Sequence, residues 1–205
     1  SATMDMVLEL LVMTGTPLPE VMMMMVPEAW EKHQDMPEYK KAFYEYAAQI
    51  MEPWDGPASI PFTDDHVIGA LLDRNGLRPS RYTVTKDGWV IMSSETGVVE
   101  IAPENVEYNG RLEPGKMFLV DMEAGRIIQD EEIKKQVCDS KPYRQWLNEK
   151  QVHFSDIAYK KEAAPTEDLD SKTRQQIFGY TQENIKKLIL PMGQAGAEAI
   201  GSMGT

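Results

Sequence analysis

Arg74, Arg78 and Arg81 gather in one short stretch of a chain whose net charge is −12. The stretch reads Asp73-Arg74-Asn75-Gly76-Leu77-Arg78-Pro79. A guanidinium presents a planar fork of donors that suits a carboxylate or a carbonyl. Asn75-Gly76 is a turn signal, because both residues tolerate φ > 0, and it predicts a tight hairpin turn here. Read locally, cations clustered at a turn make a solvated or salt-bridged corner. Other reactive groups are sparse. Cys138 is the single cysteine, and Asp139 beside it disfavours a thiolate, so an inert thiol is expected. Ser1 has the position of an N-terminal nucleophile, but a chain opening at the start of a helix reads more simply as a boundary. The sequence has no glycine-rich phosphate loop opening a helix, no histidine–glutamate pair at zinc spacing and no serine in a nucleophile elbow.

The acidic balance argues against a nucleic-acid partner, which would select a basic face. One cysteine excludes an internal disulfide framework, fits a reducing compartment, and leaves no metal cluster expected within the span. No apolar run approaches bilayer length, so no membrane partner is expected. The chain opens at Ser1-Ala2-Thr3 without a methionine and stops within Gly201-Ser202-Met203-Gly204-Thr205. Both ends are expected to be cuts in something longer.

The elements that must position the arginine corner fall into three zones. The first is helical. Thr3 is placed to cap a helix through residue 12, with Met4, Val7, Leu8 and Leu11 on one face. A second helix is expected over 18–26. Its run Met22-Met23-Met24-Met25 is apolar all round, which predicts burial, and Pro19 is tolerated near its start. Pro27 should begin another helical turn. Residues 37–51 give the clearest helix, with a stripe of Phe43, Tyr46, Ala47 and Ile50. His33, between helices, reads as a surface residue.

Glu52-Pro53-Trp54-Asp55-Gly56-Pro57 breaks the helical pattern. Strands are expected over 59–62, 66–72, 81–85, 89–93, 97–101, 116–122 and 126–128, with consecutive strands pairing antiparallel. Several of these runs are apolar on both faces, so the sheet should be covered on both sides. From Asp130 short amphipathic helices return at 131–137 and 142–148. A polar linker is expected over 160–171, then two helices at 172–178 and 183–190, the second capped by Thr181. The class is α+β, mainly antiparallel sheet with packed helices and a helical tail.

One ordered series of segments resembles a known family. Gly69-Ala70-Leu71-Leu72-Asp73-Arg74-Asn75-Gly76-Leu77-Arg78-Pro79-Ser80-Arg81-Tyr82 resembles the later part of the glutamine amidotransferase domain of the glutamate synthase large-subunit family. So do Pro27-Glu28-Ala29-Trp30, Met51-Glu52-Pro53-Trp54-Asp55-Gly56-Pro57-Ala58, Ser94-Glu95-Thr96-Gly97-Val98 and Gly110-Arg111-Leu112-Glu113-Pro114-Gly115-Lys116-Met117, in the same order. Phe178-Gly179-Tyr180-Thr181 and Gly201-Ser202-Met203-Gly204-Thr205 resemble the start of that family's central domain. The stretch from Asp73 to Pro79 and Ser94-Glu95 also resembles other class II amidotransferases.

The resemblance implies the later part of an N-terminal-nucleophile αββα sandwich at residues 1–129, a helical connector at 130–170 and the start of a central domain at 171–205. It implies that an N-terminal cysteine attacks L-glutamine with its own α-amino group as base, and that ammonia is channelled to 2-oxoglutarate for reduction to L-glutamate. That nucleophile, the arginine for the substrate carboxylate, the oxyanion-hole residues and the substrate-binding aspartate all fall before Ser1. No catalytic residue is therefore carried onto this span, and a glutaminase-inactive scaffold is expected. Asp73, Arg74, Asn75, Gly76 and Arg78 are framework candidates, with glutamine or a domain interface as the rival contact for the two arginines. FMN and an iron–sulfur cluster are implied for the whole protein and none for this span. The implied partners are the remainder of the large chain and a reductase subunit or ferredoxin as electron donor. The implied compartment is the cytoplasm, and an incomplete sandwich is expected to self-associate across open sheet. A non-catalytic interaction module built on the same sandwich is the alternative.

Overall fold

The computed structural model describes residues 2–157 and 169–196. Ser1, most of the expected linker and the segment Gly201-Ser202-Met203-Gly204-Thr205 lie outside the described residues. One compact unit runs to Val152 and a second begins at His153.

The first unit opens with three helices, α1 (Ala2–Met13), α2 (Leu18–Met25) and α3 (Glu38–Ile50). Thr3 lies inside α1 rather than at its cap. α2 follows Pro17, and Pro19 sits in its first turn, where a missing N–H costs no hydrogen bond. Its four methionines are buried, with Met22 and Met25 fully so. An all-round apolar helix has to be enclosed on every side, and unbranched methionines fill the irregular space between its neighbours. Pro27-Glu28-Ala29-Trp30 is not helical, a correction to the expected turn. On α3 the buried face is Lys40, Ala42, Phe43, Tyr44 and Ala47. Ile50 of the expected stripe is 51% exposed.

Seven strands follow: β1 (Ser59–Thr63), β2 (Val67–Leu72), β3 (Arg81–Thr85), β4 (Val90–Ser93), β5 (Val106–Arg111), β6 (Met117–Asp121) and β7 (Arg126–Ile128). They form two antiparallel sheets, β1-β2-β6-β7 and β4-β3-β5. β2 and β3 do not pair, so the stretch between them is no hairpin. The chain leaves the first sheet after Leu72, builds the second, and returns as β6 beside β2, with Gly69 opposite Leu119. The strand expected over 97–101 is absent, and Val98 and Val99 are exposed. β5 takes that place against β3. Asn109-Gly110 reads locally as a turn signal, and ladder pairing with β3 overrides it.

α4 (Asp130–Cys138) and α5 (Tyr143–Lys150) complete the unit. Asp130, Glu131 and Glu132 occupy the first turn of α4, where the helix dipole favours negative charge. The helices bury one face of the first sheet in a core that joins Met22, Phe43, Phe62, Leu71, Leu119, Ile133 and Leu147. Tyr143 Oη donates to Glu20 Oε1 at 3.0 Å, and Arg144 bridges Glu38 and Glu45, so α5 is tied to α2 and α3. The opposite face of the sheet carries a smaller cluster of Ala70, Leu72, Leu112 and Phe118, against which Tyr82, Val90 and Met92 of the second sheet pack. The Tyr82 and Phe118 rings lie 4.6 Å apart. Helices, sheet and second sheet make the α+β class.

In the second unit α6 (Ser171–Ile177) starts on Asp170, whose Oδ1 accepts the Lys172 and Thr173 N–H groups at 2.9 and 3.0 Å. Thr181 caps α7 (Gln182–Asn184). The helix expected over 183–190 is broken in pattern: a π segment, Ile185–Ile189, separates α7 from α8 (Leu190–Ala195).

Candidate functional site

The arginine corner is the crossover between the two sheets. Asp73 directly follows β2 and is 3% exposed. Its Oδ1 accepts the Ala58 N–H at 3.1 Å, and Oδ2 accepts those of Asn75 and Gly76 at 3.0 and 3.1 Å. Its backbone carbonyl also accepts the Gly76 N–H at 3.0 Å. This closes a four-residue turn with Arg74 and Asn75 at its centre. Neither central residue has positive φ, and Gly76 alone does, at +61°. The glycine is needed after the turn, where the chain swings out of the first sheet. A Cβ there would also lie 2.4 Å from Pro114 Cγ. The hairpin expectation fails because both flanking strands find other partners.

The guanidinium of Arg74 donates to Asp55 Oδ2. That pair is half-exposed, so its contribution is modest. Arg78 is exposed and has no ion-pair or hydrogen-bond partner among the described residues. It lines a 960 Å³ cavity between the sheets together with Ser80, Trp89, Met92, Ser94 and Phe118. Arg81 pairs through its backbone with Ser93 and Arg111 in the second sheet. Of the five framework candidates, only Asp73, Arg74 and the Asn75 and Gly76 amides are bonded into one turn.

A buried polar chain lies directly behind the turn. Gly115, at φ +67°, donates its N–H to the Asp73 carbonyl at 3.0 Å. Its own carbonyl accepts Lys134 Nζ at 2.8 Å. Lys134 is 1% exposed and meets Glu28 Oε1 at 3.1 Å and Asp130 Oδ1 at 3.0 Å. Tyr44 Oη donates to the same Glu28 oxygen at 3.0 Å. Asp130 also accepts the Met117 N–H at 2.8 Å and Lys116 Nζ at 3.0 Å. Lys116 reaches Glu131 at 3.2 Å, and Lys40 closes the series on Glu131 at 2.8 Å.

Acids and lysines alternate along this chain, so each buried charge has a counter-charge, the condition under which ions are tolerated in a core. Burial, reinforced by the Glu28 charge, pushes the Tyr44 hydroxyl well above its ordinary value. Burial pulls the Lys40 ammonium down, and its hydrogen bond to Glu131 with the Glu28 and Glu131 charges outweighs that, leaving it raised. The hydrogen bond from Lys40 holds Glu131 below the usual carboxylate range. Sequence reasoning missed this chain. The available signal was a lysine on the buried stripe of α4, four residues after Asp130 and flanked by Ile133 and Val137.

Cys138 is buried in the helical core. Burial pushes its thiol up to about 12, which removes it as a nucleophile at neutral pH. An iron–sulfur cluster needs several thiolates, and this chain has one cysteine, so these residues do not fit such a group. Among the described residues no set of three or more histidine, cysteine, aspartate or glutamate side chains could hold a metal ion, and no helix is long and apolar enough to cross a membrane.

Residues 1–146, which hold both sheets, the helices over the first and the crossover, match the family Glutamine amidotransferases class-II. The chain belongs to that family. Residues 173–205 match a second description, Glutamate synthase central domain. Over its whole length the chain is 50% identical to the glutamate synthase [NADPH] large chain of Bacillus subtilis, covering 13% of that protein. It is 42% identical to glutamate synthase [NADH] of Schizosaccharomyces pombe, covering 10%, and 39% identical to the ferredoxin-dependent glutamate synthase of Antithamnion sp., covering 13%. The chain therefore spans about an eighth or less of the relatives it matches.

Proposed function

We propose that this span is the later, scaffolding part of the amidotransferase domain of a glutamate synthase, joined to the start of the central domain. The observation that carries the reading is the succession of the two family matches in one chain, in that order. In this reading the whole protein hydrolyses L-glutamine and passes the ammonia to 2-oxoglutarate, which is reduced to L-glutamate in the cytoplasm. FMN and an iron–sulfur cluster would be held by other parts of the polypeptide, with NADPH, NADH or ferredoxin as the electron source. The nucleophile is likewise supplied from outside the span, since Cys138 is enclosed in the core.

Asp73, Arg74, Asn75 and Gly76 act as framework in this reading, supported by the bonds that close the crossover. Residues 1–129 contribute the sandwich and 171–205 open the central domain. Within the connector 130–170, α4 and α5 share the helical core packed on the first sheet. Arg78 is the framework candidate with no side-chain partner among the described residues.

The test is ammonia release from glutamine by the full-length protein and by the 205-residue span alone. Release by the former only is expected. Turnover by the span that disappears in Cys138→Ser would overturn the reading. Arg78→Lys in the full-length protein assigns the arginine. Lower stability at unchanged glutamine KM fits a framework cation, and a raised KM with unchanged stability fits substrate contact.

A further inference from the structure

We infer that Lys134 is a positioning residue for the crossover at 73–79, acting through the carbonyl of Gly115. The inference rests on the amidotransferase reading only for its catalytic consequence. Its structural content stands on three stacked contacts.

The outermost contact is between the crossover and the turn at 113–116. Gly76 packs on Pro114, with no room for a Cβ. Gly115 donates to the Asp73 carbonyl at 3.0 Å, and Leu72 donates to the Lys116 carbonyl at 3.2 Å. The middle contact is between Gly115 and Glu28. A Cβ on Gly115 would lie 3.0 Å from Glu28 Cβ, so the missing side chain lets the Glu28 stem sit against the turn. The innermost contact is Lys134 itself. Its ammonium donates to the Gly115 carbonyl and is ion-paired with Glu28 and Asp130. Asp130 in turn holds the Met117 N–H at the head of β6. One ammonium thus fixes the backbone of 113–117 from beneath, and that backbone carries the crossover.

A lysine is an expensive way to fill a core position. An apolar side chain of similar volume is often neutral or stabilising in place of a buried ion pair. What an apolar residue cannot supply is a directed donor to a backbone carbonyl. The lysine therefore fixes where the crossover lies, beyond any help it gives to folding. The residues so placed are Arg74, which lines a 480 Å³ cavity with Glu28, Trp30 and Tyr44, and Arg78 at the cavity between the sheets.

The experiment compares the full-length protein with Lys134→Met and with the paired change Lys134→Met/Glu28→Gln. The paired change removes one charge of each sign, so buried charge stays balanced and folding is preserved. Hydrogen exchange is followed at Asn75, Gly76 and Gly115, and separately across β1 and β2. The expected result is exchange at least about tenfold faster at the three turn amides, with strand amides within about twofold of the parent. Glutaminase kcat should fall about tenfold with KM for glutamine within about twofold, the pattern of a displaced catalytic geometry. Equal acceleration everywhere overturns the inference in favour of a general structural role. Unchanged turn amides also overturn it, and a loosened turn with unchanged kcat overturns its catalytic consequence. If the parent protein itself releases no ammonia while the turn amides respond as stated, the amidotransferase reading fails and the positioning of the crossover by Lys134 stands.

Discussion

Replacing Asp73 with asparagine removes one oxygen from a carboxylate that serves three backbone donors. In the parent, Oδ1 takes Ala58 and Oδ2 takes Asn75 and Gly76. An asparagine amide can turn its oxygen to one side only. If it faces Ala58, the Asn75 N–H meets an NH₂ group. The Gly76 N–H keeps the Asp73 carbonyl in either case. If it faces the turn, the Ala58 N–H is orphaned. One part-buried donor is lost in both orientations, which costs up to about 1–3 kcal/mol. The bonds that survive change from charge-assisted to neutral, about 1 kcal/mol weaker each. The total is about 2–4 kcal/mol of local stability.

By contrast Asp55→Asn disturbs a half-exposed pair with Arg74 and should cost no more than about 1 kcal/mol. The assay is hydrogen exchange at Ala58, Asn75 and Gly76 in the full-length protein. A loss of about 2–4 kcal/mol appears there as exchange roughly 30- to 1000-fold faster. An Asp73→Asn effect below about tenfold, or one no larger than that of Asp55→Asn, would refute the view that this carboxylate closes the crossover.

Two further outcomes follow from the titrating groups. Glu131 has its carboxyl held below 4.5 by Lys40, so its stabilising contribution is present above the unfolded value. It is lost as pH falls through the lower folded value. Denaturant midpoints taken from pH 6 downward should therefore drop below about pH 4.5, less steeply in Glu131→Gln. An identical slope in that variant would count against the buried ion chain. Lys40 is raised above 10.5, so its contribution is complete below that value and is lost only as pH rises through the higher folded one. For Cys138, a thiol at about 12 against an ordinary 9.0 has about a thousandfold less thiolate at pH 8. Iodoacetamide labelling read by mass should be correspondingly slow until the protein is unfolded. Rapid labelling of the native chain would show that α4 is not packed as described.

How much was legible in advance depends on the range of the interaction. The Met22-Met23-Met24-Met25 run announced its burial because four consecutive apolar residues leave no polar face on that turn of the helix. The Thr181 cap and the strands at 81–85 and 126–128 are local devices, and they stand where the sequence puts them. Asn75-Gly76 and Asn109-Gly110 are equally local signals, yet the first is no hairpin and the second lies inside β5. Their strands had partners elsewhere, and a ladder of backbone bonds outweighs a turn preference of about 1 kcal/mol. The framework stretch around Asp73 was legible as a unit, but its partners Asp55, Ala58 and Pro114 were not.

Taken by itself, the sequence determined the α+β class, most of the element boundaries and the family. These follow from periodicity, composition and ordered motifs, all of which are short-range. It also gave Cys138 as inert, but on the charge of Asp139, where burial is the larger cause. Only the tertiary structure decided that β2 and β3 belong to different sheets. It also decided that Lys134 lies in the core with Glu28 and Asp130 rather than in water, and that Arg74 has a carboxylate where Arg78 has none among the described residues. Those facts depend on which distant residues the fold brings together, and charge satisfaction inside a core is settled by three-dimensional neighbours, not by sequence neighbours.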